Sequence, residues 1–361
     1  MFLSRILLQH FRSYPQADFT FNEGVTCIVG PNTAGKTNLL EAISLLAIGK
    51  GFRAEKETEL IQFGQEVARV KGQLLSGEGE KDKGDKEKIR LEVVVAQGET
   101  AGGRSYLKKY LVNDVPKRRV DFVGQLQSLL FIPADLAVII GSPSYRRHFF
   151  DEVLEVVDRE YRQALSSYER ALRQRNALLE LVRETGQRNQ AQFSYWDDLL
   201  ITNGQIITKK REAFIAFMNK EEKTLLPFRA VYDHSTISEE RLLQYKGAEV
   251  GSGVTLVGPH RDDFQVLLTV RKEERDARTY GSRGQQRLVV LQLKLLQLAF
   301  MKQMGSQPIL LLDDIFSELD EAHIQLVMDI MKGQQTILTT THKEFLSTKM
   351  LRDASMIELE K

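Results

Sequence analysis

Eight consecutive residues constrain this chain more than any others. Gly30-Pro31-Asn32-Thr33-Ala34-Gly35-Lys36-Thr37 fits the P-loop pattern GxxxxGK[ST]. Ordinary residue frequencies put a chance match in a chain of this length on the order of 1%. The context narrows that further. Gly24–Val29 reads as a buried strand, and from Lys36 the residues Leu39, Leu40, Ile43, Leu46 and Ala47 recur at helical spacing. A glycine turn between a strand and a helix N-terminus wraps a polyphosphate with inward backbone N–H groups. Gly30 and Gly35 let the backbone close in, Pro31, Asn32, Thr33 and Ala34 complete the turn, and Asn38 follows in the first helical turn. Lys36 then places a cation on the β/γ-phosphates of ATP, and the Thr37 hydroxyl is a ligand for Mg²⁺. Lys36 is expected to answer only to phosphate. Such a chain must build an α/β sheet with its chemistry at the strand ends.

A P-loop needs a carboxylate on a neighbouring strand. Ile309-Leu310-Leu311-Leu312-Asp313-Asp314 is an apolar run ending in acids, as a buried parallel strand would be. Asp313 is expected to hold Mg²⁺ through water, and Asp314 to orient or deprotonate the attacking water. Upstream, Tyr280-Gly281-Ser282-Arg283-Gly284-Gln285-Gln286-Arg287 opens a helix pattern that runs through Ala299. It resembles the ABC signature, whose serine-and-glycine turn binds a γ-phosphate at a helix N-terminus; Ser282, Gly284 and Gln285 are the residues implied. Ser317-Glu318-Leu319-Asp320 is similar to the ABC D-loop, and Thr340-Thr341-His342 ends a strand where that family carries its switch histidine. Each of these is weak alone. Their order makes Asp314, Lys36, Ser282 and His342 the catalytic candidates.

The remaining sequence organises around these motifs. Leu3–Leu8 and Asp18–Phe21 read as strands, and the period-two stretches Val67–Leu74 and Ile89–Val95 as antiparallel ones flanking Ser76–Lys88, a charged run without apolar residues. From Leu154 the set Leu154, Val157, Tyr161, Leu165, Tyr168, Leu172, Leu179 and Val182 steps at helical spacing. A second amphipathic stretch carries Trp196, Leu199, Leu200, Ile206, Ile207, Phe214 and Phe217, with polar Gly186–Gln192 between the two. The expected fold is α/β: a P-loop ATPase lobe of the ABC/SMC-head type, with a mixed sheet and an antiparallel β subdomain, plus an inserted helical lobe. The boundaries read as 1–145 and 246–361 for the two parts of the lobe and 146–245 for the insertion. The lone Cys27 excludes an internal disulfide and, with no signal-peptide pattern, gives a cytoplasmic expectation. A net charge of +1 requires any nucleic-acid contact to come from a local patch.

Phe11-Arg12-Ser13-Tyr14, Glu41-Ala42-Ile43, Gly258-Pro259-His260-Arg261-Asp262-Asp263 and Leu312–Asp320 together resemble the RecF family of bacterial recombinational repair proteins, relatives of SMC heads. The resemblance runs from Leu3 to His342. It implies ATP-dependent homodimerisation, binding of single-stranded, duplex or gapped DNA, and partnership with RecO and RecR in loading recombinase. ABC ATPases usually place Glu where Asp314 stands, and the shorter side chain implies slow hydrolysis. No Q-loop glutamine stands out: Gln125 and Gln127 precede the strand-like Leu129–Ile132, and either also reads as an ordinary surface amide.

Basic clusters at Lys108-Lys109, Lys117-Arg118-Arg119, Arg146-Arg147 and Arg170/Arg173/Arg175 read first as solvated faces and second as candidate DNA contacts. An ABC transporter subunit is the alternative reading, and a P-loop kinase a third. Asp313 follows Lys36 by 277 residues (313 − 36), and that interval holds a helical lobe which a transporter subunit does not need. The signature turn argues against a kinase, which has no use for a phosphate-binding turn supplied in trans.

Overall fold

The computed structural model describes residues 1–76, 88–100, 103–270, 273–318, 321–341 and 354–360. They separate into two compact units, Met1–Ala134 with Met301–Lys361, and Asp135–Phe300. The first unit opens with β1 (Phe2–Phe11), β2 (Tyr14–Thr20), β3 (Val25–Val29) and α1 (Lys36–Ile48). Next come β4 (Val67–Leu75), β5 (Lys88–Thr100), β6 (Gly103–Val112), β7 (Val115–Lys117), α2 (Arg119–Phe122) and β8 (Ser128–Phe131). The second unit holds α3 (Ala137–Ile140), α4 (Pro143–Val157), α5 (Arg159–Thr185), α6 (Gln190–Lys220), β9 (Phe228–Asp233) and α7 (Glu239–Ser252). It continues with β10 (Asp263–Val270), β11 (Glu273–Asp276), α8 (Ala277–Tyr280) and α9 (Arg283–Gln303). The chain then returns to the first unit with β12 (Ile309–Asp313), α10 (Glu321–Met331), β13 (Thr336–Thr340) and β14 (Ser355–Glu358).

The expected combination of parallel and antiparallel strands is divided between two sheets of the first unit. One is antiparallel with order β2-β1-β4-β5-β6-β7, the other parallel with order β14-β3-β13-β12-β8. The parallel strands β12 and β13 are buried at every residue, which is why Ile309–Leu312 of β12 reads as an unbroken apolar run and β13 carries only threonines beside Ile337 and Leu338. Helix α1 packs against strands of both sheets, and Leu39 through Ala47 are all buried. A helix enclosed on all sides carries no polar face, and the sequence of α1 has almost none. Its C-terminal carbonyls are taken up by cations and a phenol. Lys108 and the Tyr110 hydroxyl donate to Gly49 O at 2.9 and 3.0 Å, and Arg119 donates to Ile48 O at 2.8 and 3.1 Å. The P-loop helix is therefore fixed at the end away from its loop.

In the second unit α5 and α6 form the expected hairpin, with Leu165, Tyr168, Leu179 and Val182 buried on one helix and Phe193, Leu200, Ile207 and Phe214 on the other. The helical pattern expected to run on from Leu154 breaks at Asp158, whose carboxylate caps α5 by accepting the Tyr161 N–H at 3.0 Å. The divisions at 134/135 and 300/301 differ from the expected 145/146 and 245/246. The physical reason is packing: the Phe264 ring of β10 packs tilted against Phe149 and Phe150 of α4, and Phe300 of α9 packs tilted against Phe214 and edge-on against Phe217 of α6. The three-stranded sheet β11-β10-β9 therefore shares the core of the helices. Of the charged run, Ser76 is buried, and residues 77–87 lie outside the described residues.

Candidate nucleotide site

The P-loop leaves β3 and enters α1 through two left-handed residues, Thr33 (φ 78°) and Gly35 (φ 97°). Gly35 is required twice over. Its φ suits glycine, and a Cβ there would stand 2.8 Å from the Tyr14 hydroxyl, which donates to Gly35 O at 3.1 Å. Helix α1 starts with no side-chain cap and no acidic residue in its first turn, so its leading N–H groups and the positive end of its dipole are open to an anion. Helices α5 and α7, by contrast, are capped by Asp158 and Ser238.

Lys36 is buried, and its ammonium donates to Gly30 O at 2.7 Å and Pro31 O at 2.9 Å. The expectation that it answers only to phosphate is corrected here: these two bonds tie its own loop together. Burial lowers its pKa, while the charges of Asp314 and Asp313 act in the opposite direction. Thr37 donates its hydroxyl to the Asp313 carboxylate at 2.8 and 3.1 Å, and the Thr339 hydroxyl donates to the same carboxylate at 2.7 Å. Parallel pairing of β12 and β13 places Asp313 opposite Thr339. Asp314 leaves the strand at φ 50°, with its N–H donating to Thr339 O and Oγ1 at 3.2 and 3.1 Å. That turn separates the two acids, so Asp313 stays in the sheet and Asp314 steps off its end.

Asn32, Thr33, Gly35, Lys36, Thr37, Asn38, Asp313 and Asp314 line one cavity of about 560 Å³, together with Arg53, Pro133 and Thr341. That volume is ordinary for a small-molecule site. The hard oxygen donors of Thr37 and Asp313 suit Mg²⁺, which binds through one or two protein oxygens, water and substrate phosphate. Three residues were missed by sequence reasoning. Arg53 lines the cavity and forms no ion pair among the described residues. Thr339 carried only a strand signal. Glu41, marked in the sequence only by the family resemblance, is fully buried. It takes a bidentate pair from Arg12 at 2.8 and 3.0 Å and the Arg53 N–H at 3.0 Å, so it fixes two loops beside the P-loop.

Ser282, Gly284 and Gln285 belong to the second unit. Ser282 and Gly284 are exposed at the start of α9. The Ser282 hydroxyl accepts the Gln285 N–H at 3.3 Å, and the Gln285 side-chain oxygen accepts the Ser282 N–H at 2.9 Å, which is a capping box. His342 lies outside the described residues, as do Leu319 and Asp320, while Ser317 and Glu318 end a 3₁₀ turn.

The basic clusters divide sharply. Arg175 is 1% exposed and paired with Asp197 and Glu249, and Arg146 is held by both oxygens of Asp263. Arg147 donates to Asp262 O at 2.9 Å, and Lys108 is paired with Glu57. Arg175, Arg146 and Lys108 are thus structural cations, a correction to their reading as solvated faces or DNA contacts, while Arg147 is half-buried. Lys109, Lys117, Arg118, Arg170 and Arg173 are exposed.

The family model described as RecF/RecN/SMC N terminal domain matches residues 2–360. A DNA replication and repair protein RecF from Moorella thermoacetica is 34% identical, covering 99% of this chain and 94% of that protein. One of the same description from Bacillus subtilis is 32% identical, covering 100% of this chain and 98% of that protein. A solved structure of the recombination mediator protein RecF-ATP in the RecFOR pathway superposes with a TM-score of 0.83 at 29% identity, covering 96% of this chain and 93% of that one. A second, of RecF-ATPrS, gives 0.81 at 30% identity, with 96% and 94% covered. By sequence across its whole length and by fold, this chain belongs to the RecF family.

Proposed function

We propose that this chain is a slow ABC-type ATPase of recombinational DNA repair and replication maintenance, which uses ATP to close a homodimer on DNA. The observation that carries this reading is the convergence of Lys36, Thr37 and Asp313 on one open cavity beneath an uncapped helix N-terminus. The P-loop N–H groups and Lys36 bind the phosphates, Lys36 exchanging the Gly30 and Pro31 carbonyls for phosphate oxygens. Bound Mg²⁺ supplies positive charge to the β- and γ-phosphate oxygens. Thr37 and Asp313 are the residues that hold it, and Thr339 keeps the Asp313 carboxylate turned inward. Asp314, set off the strand end, accepts the proton of the attacking water. A cavity of about 550 Å³, lined by Arg12, Ser13, Glu59, Ile61 and Phe63, shares Asn38 and Arg53 with the phosphate cavity and leaves room for the nucleoside.

Ser282, Gly284 and Gln285 act on the nucleotide of a second copy, and His342 contacts the γ-phosphate as the switch histidine. The exposed cations Lys109, Lys117, Arg118, Arg170 and Arg173 are the DNA contacts in this reading, with single-stranded, duplex and gapped DNA as targets. RecO and RecR are the expected partners, and the cytoplasm the place of action. The relatives' description as replication and repair proteins favours DNA over transport.

The experiment is a fluorescence titration of gapped DNA with and without ATP at several salt concentrations. The reading expects tighter binding with ATP and a steep loss with salt, because phosphate contacts release counterions. An affinity indifferent to ATP would count against the clamp.

A further inference from the structure

The turn before α9 is held by a residue to which the reading above gives no role. Gln286 is 5% exposed, and its side-chain nitrogen donates to Ala277 O and Arg278 O, both at 3.1 Å. Both neighbours are carbonyls, so the amide must present its nitrogen to them. Ala277 O also accepts the Gly281 N–H at 3.1 Å. A Cβ on residue 281 would stand 2.6 Å from that same oxygen, so the chain folds back tightly from α8 into the turn. On the other side, the reciprocal bonds of Ser282 and Gln285 close the first turn of α9. Adjacent glutamines thus divide the work: Gln285 closes the turn from the solvent side and Gln286 from the core side. With its oxygen accepting from Gln285, the exposed Ser282 hydroxyl keeps its hydrogen free to donate outward.

The other end of the Gln286 amide argues that it is not there for stability. Its Oε1 is buried and accepts no hydrogen bond from the described residues. A buried acceptor left unpaired offsets what the two donated bonds contribute, and an apolar side chain of equal volume carries no such cost. Only the donor pair, which fixes the last turn of α8 against the first turn of α9, is lost on such a replacement.

We propose that Gln286 is a positioning residue of the trans phosphate-binding turn, bracing the Ala277 and Arg278 carbonyls so that Ser282 presents its hydroxyl donor to nucleotide held by a second copy of this chain. This rests on the reading of Ser282 as acting in trans. A donor displaced by a fraction of a bond length loses much of its effect on phosphate, while the copy's own P-loop is untouched.

The test compares the full-length chain with Gln286→Met and Gln286→Glu, which keep the volume but not the paired donors. ATP affinity is measured at protein concentrations where the chain is monomeric, and self-association with MgATP by light scattering over a concentration series. For Gln286→Met the expected result is unchanged ATP affinity, a melting temperature within roughly 3 °C of the parent, and ATP-driven self-association weakened about tenfold or more; Gln286→Glu, which turns a carboxylate toward two carbonyl oxygens, should melt lower and lose self-association at least as far. Hydrolysis per chain should fall at low protein concentration and recover at high concentration, with KM for ATP constant. A merely structural residue would not produce that split. Self-association equal to the parent's in Gln286→Met overturns the proposal. So does a parallel loss of ATP affinity and melting temperature in both variants. If the parent itself does not associate with MgATP, the trans reading of Ser282 fails and takes this proposal with it.

Discussion

Thr37 and Asp313 lie 276 residues apart in sequence and one hydrogen bond apart in space, the hydroxyl donating to both carboxylate oxygens at 2.8 and 3.1 Å. Thr339 holds the same carboxylate at 2.7 Å. Two distant segments of chain must therefore fold together before the metal-binding oxygens meet. Asp313→Ala removes the acceptor of both hydroxyls. It should cost about 1–3 kcal/mol of stability, and the gain in ATP affinity that Mg²⁺ gives the parent should largely vanish. Titrating ATP with and without EDTA checks this. A variant that keeps the full Mg²⁺ effect would remove Asp313 from the metal site.

Lys36→Ala should weaken ATP binding by roughly 2–3 kcal/mol, or about 30- to 150-fold, through loss of a charged donor to phosphate. The bonds from Lys36 to Gly30 O and Pro31 O add a second effect. Both carbonyls sit near solvent, so the unliganded chain should lose only about 1 kcal/mol. Calorimetric melting without nucleotide separates the two effects.

Asp314→Asn should trap the ATP-bound state. Asparagine tolerates the left-handed backbone that Asp314 adopts at φ 50°, so the turn survives. The carboxamide cannot take a proton from water. ATP binding persists, turnover is lost, and any ATP-dependent dimer lives longer. Hydrolysis at the parent's rate would assign the base to another residue.

Stability should fall as the pH drops from neutrality toward 4. Burial lowers the His260 pKa to about 4, with the charges of Arg261, Arg147 and Arg175 acting in the same direction. Its Nδ1 accepts from the Tyr168 hydroxyl at 2.7 Å, and its Nε2 faces Thr255 O at 3.0 Å. The unfolded chain takes up this proton near pH 6.5 and the folded chain near 4, so between those values the unfolded state holds more protons and is favoured as pH falls. The loss is on the order of 3 kcal/mol at its limit. His260→Gln should flatten the melting-temperature slope between pH 7 and 5. An unchanged slope would show that other groups set it.

Much of the nucleotide site was legible because its chemistry is local. A P-loop declares itself by glycine spacing, and β12 by four apolar residues ending in acid. The Ser282 turn was legible for the same reason, since a capping box spans only Ser282 to Gln285. What the sequence could not show depends on register between distant strands or on a partner far along the chain. Thr339 faces Asp313 only because β12 and β13 pair in parallel at that register. Arg12 and Glu41 carry no mark of their pairing. The basic clusters misled for a related reason: Arg146 and Arg175 look like surface cations until Asp263, Asp197 and Glu249 are brought to them by folding. Helix boundaries failed where a cap, Asp158, interrupts an otherwise continuous apolar stripe.

In the proposed dimer one copy's P-loop is completed by the other copy's Ser282, and mixing two defective variants shows whether it is. Ser282→Arg keeps its own P-loop and should bind ATP as a monomer, yet fail to dimerise, because the arginine fills the space meant for the partner's γ-phosphate. Lys36→Ala keeps the signature turn but not the nucleotide. In a mixed dimer one site pairs the intact P-loop of the first with the intact turn of the second, and the other site carries both defects. Light scattering of the mixture with MgATP should show dimer that neither variant forms alone. A Ser282→Arg chain that dimerises normally by itself would contradict the account and reduce the turn to a helix cap.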